Sequence, residues 1–251
     1  MTEGLYLVYS YYGISEKDDK ADIIFKAARK AYLDFRRRIS FQSQVPADQR
    51  SSSERQVEEL LVNELPKLLA ADTQDEFDKI HHQVCEDILQ VYSVVGKQPY
   101  GIAQWWVNQT LLELLTVEKF LGVNYWNTHG KRRYFHVPVD RYLLEAASSK
   151  CEGRFQHGLH LKTAPMKHDD MKDFHNGWYV PGETQPPESW GYDEYLQFQM
   201  AVRRKIQDVL SDRYKDCIEW GVCTFLEVTQ MRNRWDENFY LKYWEMNHNE
   251  S

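Results

Sequence analysis

YGIAQWWVNQTLLELLT, residues 100–116, decides the fold. Pro99 just ahead of it suits a first helical turn, because the N–H that proline lacks is one that a helix start leaves unpaired. Ile102, Ala103, Trp106, Thr110, Leu111, Leu114 and Leu115 recur with helical period. Their stripe is too wide for a helix with a single buried face. The reading is a central helix covered by others on more than one side.

Working outward toward the N-terminus, Thr73 and Glu76 have the spacing of a capping box and open a helix with Phe77, Ile80, Val84, Ile88 and Tyr92 on one face. Gly96 is placed to stop it. Ser53 and Gln56 start another before Val57, Leu60, Leu61, Glu64 and Leu68, and Pro66 predicts a kink or break inside it. Ser15 and Asp18 open a third, carried by Ile24, Ala28, Ala31, Phe35 and Ile39 and ending near Arg38. The run LYLVYSYY, residues 5–12, is so continuously apolar that periodicity does not separate a strand from a buried helical turn.

Toward the C-terminus, NYWNTHGKRRYFHV at 124–137 is a polar and aromatic connection, after which Pro138 opens a helix through Tyr142, Leu143 and Ala147. Residues 149–190 show no sustained periodicity. Helical spacing resumes at Tyr195, Phe198, Val202, Ile206 and Val209, and again from Asp216 to about Gln230. The expected fold is mainly α, a multi-helix globular domain with a long irregular segment and little or no sheet. It is read as one domain over 1–251, with an N-terminal helical lobe at 1–98 and a C-terminal lobe at 99–251.

The 251 residues hold 31 Lys and Arg against 38 Asp and Glu, with 42% apolar and 27% charged residues. That is ordinary globular usage and excludes disorder, collagen and coiled coil for the bulk of the chain. Aromatic residues reach 14%, supplying large buried area and many polar handles that need partners. No run of eighteen apolar residues occurs, and MTEGLYLVYSYYG lacks a basic n-region and a cleavage site. No membrane partner is expected, and the expected location is the cytoplasm. Cys85, Cys151, Cys217 and Cys223 form no C-x-x-C pair and are expected as reduced thiols.

Charge is unevenly placed. Residues 54–90 hold ten acids against three bases, which equals the whole net charge of -7. Elsewhere the chain is balanced, with basic clusters at Arg36-Arg37-Arg38, Lys131-Arg132-Arg133 and Arg203-Arg204-Lys205. Such clusters can bind phosphates, or be solvated charge that complements a helix end.

Cys151, His157, His160, His168 and His175 are competent zinc ligands, but their spacing matches no structural zinc pattern. His81 and Cys85, like His82 and Glu86, are four apart and share a helical face. A second half-site for a metal is missing there, and neither a metal nor another cofactor is expected. No Gly-rich phosphate loop, G-x-S-x-G elbow or H-E-x-x-H is present.

The most distinctive stretch runs from Gly101 to Ala147 and includes Phe135-His136-Val137-Pro138-Val139-Asp140. A V-P-V-D segment opening a helix resembles the point at which helix-hairpin-helix DNA glycosylases carry their catalytic aspartate. The resemblance covers about residues 100–147. It implies a helical fold, nucleic acid as partner, and Asp140 as the carboxylate that stabilises an oxocarbenium-like sugar or activates water. It also implies extrusion of a base into an aromatic pocket. The nucleic-acid contacts expected are Lys131, Arg132 and Arg133, which lie a few residues before the segment, with Trp105 and Trp106. The lysine nucleophile of bifunctional members has no counterpart, since Gly101–Thr116 contains none. A purely architectural role for Asp140 competes: in a first helical turn, a carboxylate is held by unpaired backbone donors and the helix dipole. Two rival functions stand beside this one. One is a non-enzymatic protein-interaction module whose acidic 54–90 helices meet a basic protein, and the other is a metal-dependent enzyme built on the histidine-rich segment.

Overall fold

Helices account for every regular element longer than a single bridge in the computed structural model, which describes residues 3–15, 17–35, 46–93, 100–147, 155–161 and 191–231. In chain order they are α1 (Glu3–Tyr12), α2 (Lys20–Phe35), α3 (Ala47–Ala70), α4 (Gln74–Tyr92), α5 (Tyr100–Leu121) and the short α6 (Thr128–Lys131). A 3-10 turn (Arg132–Tyr134) follows, then α7 (Arg141–Ala147), α8 (Tyr192–Val209) and a helix over 217–231. Among the described residues no strand occurs, and Leu161 makes one isolated bridge. The mainly α fold is thus as the periodicity implies, and LYLVYSYY resolves as helix.

The chain divides into two compact units, Met1–Pro138 with Gln185–Leu196, and Val139–Thr184 with Gln197–Ser251. α4 and α5, which lie on either side of residue 98, pack on each other inside the first unit.

In the first unit α5 is the hub, packed against α1, α2, α4 and α6, while α3 packs on α2 and α4. Residues on every side of α5 are buried, among them Ile102, Trp106, Val107, Leu111, Leu114 and Val117. That is the consequence of its wide apolar stripe. Trp106 is fully buried, with its indole N–H donated to the Ala28 carbonyl at 2.9 Å and its ring stacked on Tyr32. α5 ends where Gly122 takes φ +66°, so that the Val123 N–H reaches back to the Glu118 carbonyl. Only glycine adopts that conformation at little cost.

Caps place the helix starts. Thr73 accepts from the Glu76 N–H at 3.2 Å, and Glu76 in return takes the Asp72 N–H at 2.9 Å. The α2 box is built by Asp19 and Asp22, each accepting the other's N–H. It lies four residues beyond the Ser15 to Asp18 pair that the sequence suggests. α3 begins at Ala47 behind Pro46 rather than at Ser53, which is buried within the helix, and it continues through Pro66 to Ala70. Gly96, Arg36 to Arg38 and most of 149–190 lie outside the described residues.

In the second unit, Phe155, Ala146 and Val228 pack together. The 155–161 segment is tied to α7 by Leu159 N–H to Ala146 and Leu161 N–H to Ala147. It is tied to the 217–231 helix by Glu227, whose two carboxylate oxygens take the N–H groups of Gln156 and His157. Trp220 donates to the His157 carbonyl, and the His157 ring meets the Tyr214 hydroxyl at 2.6 Å.

Candidate functional site

Two arrangements carry chemistry, one in each unit. The larger is a line of polar side chains through the core of the first unit. Asp78 and His81 project from α4, Gln104 and Asn108 from α5, His136 from the non-helical segment after the 3-10 turn, and Tyr195 from the first turn of α8. His81, Gln104, Asn108, His136 and Tyr195 are each at most 1% exposed. Polar groups so deeply buried are costly unless every donor and acceptor is matched.

The matching is directional. Gly101 offers a carbonyl, which can only accept, so Gln104 presents its amide N–H there at 2.9 Å and turns its oxygen to Asn108. Asn108 therefore points its N–H₂ at Gln104 and at the Tyr195 hydroxyl, each at 2.9 Å, and its oxygen at His81 Nε2, 2.8 Å away. His81 must hold its proton on Nε2, leaving Nδ1 to accept from the Cys85 thiol at 3.7 Å. The Tyr195 hydroxyl, whose oxygen takes an Asn108 hydrogen, meets His136 Nδ1 at 2.6 Å. His136 then donates from Nε2 to Asp78 Oδ1 at 2.7 Å, which also accepts from Gln74 at 2.8 Å.

Aromatic packing encloses the line. The rings of His81 and His136 lie 4.4 Å apart, and Tyr195 stacks on His81 at 5.7 Å. At one end His82 stacks on Tyr192 at 3.7 Å. Burial pushes the Cys85 thiol and the Tyr100 hydroxyl well above their ordinary ranges, so neither is an activated nucleophile at neutral pH. Among the described residues no three His, Cys, Asp or Glu side chains converge as metal ligands do. Cys151, His168 and His175 lie outside the described residues, whereas His157 and His160 are described and His157 is engaged by Tyr214.

The second arrangement is Asp140, 4% exposed, at the opening of α7. Its Oδ1 accepts the Leu143 N–H at 2.9 Å and its carbonyl takes the Leu144 N–H at 3.0 Å, so it is the N-cap of that helix. Pro138 and Val139 precede it outside any regular element.

The proposed nucleic-acid contacts are scattered in role. Lys131 donates to the Ala71 carbonyl at 2.6 Å and to Asp72 at 2.8 Å, closing the C-terminus of α3. Arg133 donates to the Tyr134 hydroxyl at 2.7 Å and lies over that ring. Trp106 is sealed in the core and offers no face to a base, while Trp105 beside it is half-buried. Sequence reading paired His81 with Cys85 correctly but missed His136, Asn108, Gln104 and Tyr195. The available signal was polar residues on a helix otherwise apolar all round: Gln104 and Asn108 are four apart within the widest stripe in the chain. No protein-family model, no curated protein and no solved structure matches this chain.

Proposed function

We propose that the protein cleaves an N-glycosidic bond in nucleic acid or one of its components, with Asp140 as the carboxylate that stabilises the developing sugar cation. The observation carrying this reading is the posture of Asp140. It ends a V-P-V-D segment that lies outside regular secondary structure, and a helix N-terminal amide holds one of its oxygens. That setting favours a negative charge. A fixed carboxylate is what an oxocarbenium-like transition state needs, since the charge is stabilised without reorganisation.

The test is release of free base from DNA, RNA and nucleosides, compared between the wild type and Asp140→Asn. Asparagine also caps helices, so this variant removes the charge and keeps the cap. Base release lost in the variant supports the reading. No release from any substrate, with no DNA binding that strengthens as salt is lowered, removes it.

A second reading, a protein-interaction module, is favoured by the solvent-facing acids Glu59, Asp75, Glu76 and Glu86 on α3 and α4. Its partner would be a basic protein. Pull-down with the wild type and with a variant neutralised at these four positions checks it: equal recovery of basic proteins counts against it.

A further inference from the structure

We propose that the outer face of α1 is the contact of a reversible dimer, in which a second copy of this chain packs the same face about a two-fold axis. The inference stands independently of the Asp140 reading and of the acidic surface on α3 and α4. It starts from a mismatch between sequence and position. Residues 4–12, GLYLVYSYY, hold no charged side chain, and a helix apolar on every side belongs in an interior. The inner side of α1 is taken by α5: Val8 is buried, and Tyr12 donates to Glu113. The outer side faces solvent.

That outer side is continuous. Tyr6, Leu7 and Tyr11 are 65%, 53% and 56% exposed, and at about 100° per residue they share one flank of the helix. A Cβ on Gly4 would stand 2.9 Å from Phe120 Cδ1, so the bare backbone there lets the Phe120 ring lie on α1, one turn before Leu7. Phe120, itself 41% exposed, carries the face onto the end of α5. The Ser10 hydroxyl on the same flank is already donated to the Leu7 carbonyl at 3.3 Å. On the α2 side, the Lys30 ammonium sits over the Tyr11 ring, 4.1 Å from its centre.

Charge and size choose the occupant. A helix that settles on a lipid surface carries Lys and Arg on a polar face, and residues 4–12 contain neither. A nucleic acid or a charged protein likewise meets no counter-charge on α1. A second copy brings the same uncharged surface, so no like charges on α1 oppose each other, and tyrosine rings are favoured contacts at protein interfaces. At roughly 200 Å² for a whole aromatic side chain, the exposed parts of Tyr6, Tyr11 and Phe120 offer about 300 Å² per copy. With Leu7, Ser10 and the Lys30 stem added, two copies bury on the order of 1,000 Å², the size of a reversible dimer and well short of an obligate one.

The experiment is sedimentation velocity of the full chain from about 1 to 200 µM, in low salt and in about 0.5 M salt. The average mass is expected to rise with concentration from one chain toward two, alike at both salts, because the contact is uncharged. Leu7→Glu and Tyr11→Glu each bring a carboxylate into that contact at a position exposed in the single chain, so each should raise the dissociation midpoint about tenfold or more. Hydroxyl-radical footprinting of the wild type reads the same contact without a substitution and decides if a variant does not fold: Tyr6 and Tyr11 should be protected at high concentration and labelled at low. A monomer at every concentration, a dimer that salt dissolves, a midpoint unmoved in either variant, or labelling of Tyr6 and Tyr11 that ignores concentration would each overturn the proposal. So would a chain that stays monomeric and floats with anionic vesicles, which would assign the face to a lipid surface.

Discussion

Gln104 sets the orientation of Asn108: its carbonyl oxygen takes the Asn108 N–H₂ at 2.9 Å because its own N–H₂ is committed to Gly101. From that one relationship the proton position of His81 follows, since the Asn108 oxygen faces its Nε2. Replacing Asn108 by Leu leaves His81 Nε2, the Tyr195 hydroxyl and Gln104 Oε1 each short of a buried partner. The expected cost is about 2–4 kcal/mol, measured by urea unfolding. Gln104→Leu, which mainly orphans the Gly101 carbonyl and one Asn108 hydrogen, is expected to cost less, about 1–2 kcal/mol.

Asp140 separates cap from charge. Asp140→Ala loses the bond to Leu143 and should destabilise the protein by about 1 kcal/mol, whereas Asp140→Asn should stay within about 0.5 kcal/mol of wild type. Thermal unfolding of the two variants reads the difference. Equal losses would mean that the charge, not the cap, stabilises this position.

Lys131 and Asp72 form an exposed pair with a titration signature. The Lys131 hydrogen bond, and then its charge, hold the Asp72 carboxyl below its ordinary value. Because the folded value is depressed, the pair's contribution is present above the ordinary aspartate range and is lost as pH falls through the lower folded value. In Lys131→Met the Asp72 carboxyl should return toward its ordinary titration, as followed by ¹³C NMR. An unmoved midpoint would show that the pair does not persist in solution.

Glu58 has the opposite sign. Burial raises its carboxyl above the ordinary range, only partly countered by the Arg29 charge, while Glu54 adds to the rise. A raised folded value means stability falls as pH climbs from the ordinary glutamate range through the folded value. Glu58→Gln should therefore be more stable than wild type at pH 7, with the gain vanishing at pH 4. A variant less stable at both pH values would contradict this.

Trp106 is architecture. Trp106→Ala removes a fully buried indole, its bond to Ala28 and its stacking on Tyr32, at an expected cost of about 3–5 kcal/mol. Half-buried Trp105 should cost much less on truncation, within about 2 kcal/mol. Guanidinium unfolding of both variants tests the contrast.

How much of this was legible depended on distance along the chain. The α4 start was readable because Thr73 and Glu76 complete their cap within four residues. The α2 start was displaced because Asp19 and Asp22 offer the same short-range chemistry as Ser15 and Asp18, and a few residues of sequence do not rank one pair above the other. Asp140 was legible as a helix opener through Pro138. The buried polar line was not legible as a unit, since its members lie at positions 78, 81, 104, 108, 136 and 195.

By itself the sequence determined that the protein is helical and that the 100–116 stretch is its central element. Helical periodicity and capping are local, decided by side chains three or four residues apart on one rising backbone. Only the tertiary structure decided which polar groups are matched in the core, that Trp106 is sealed from solvent, and that Lys131 and Arg133 are held by Asp72 and Tyr134. Those outcomes depend on the partner that each donor, acceptor or ring meets on another element. A buried group is tolerated only where that distant partner arrives.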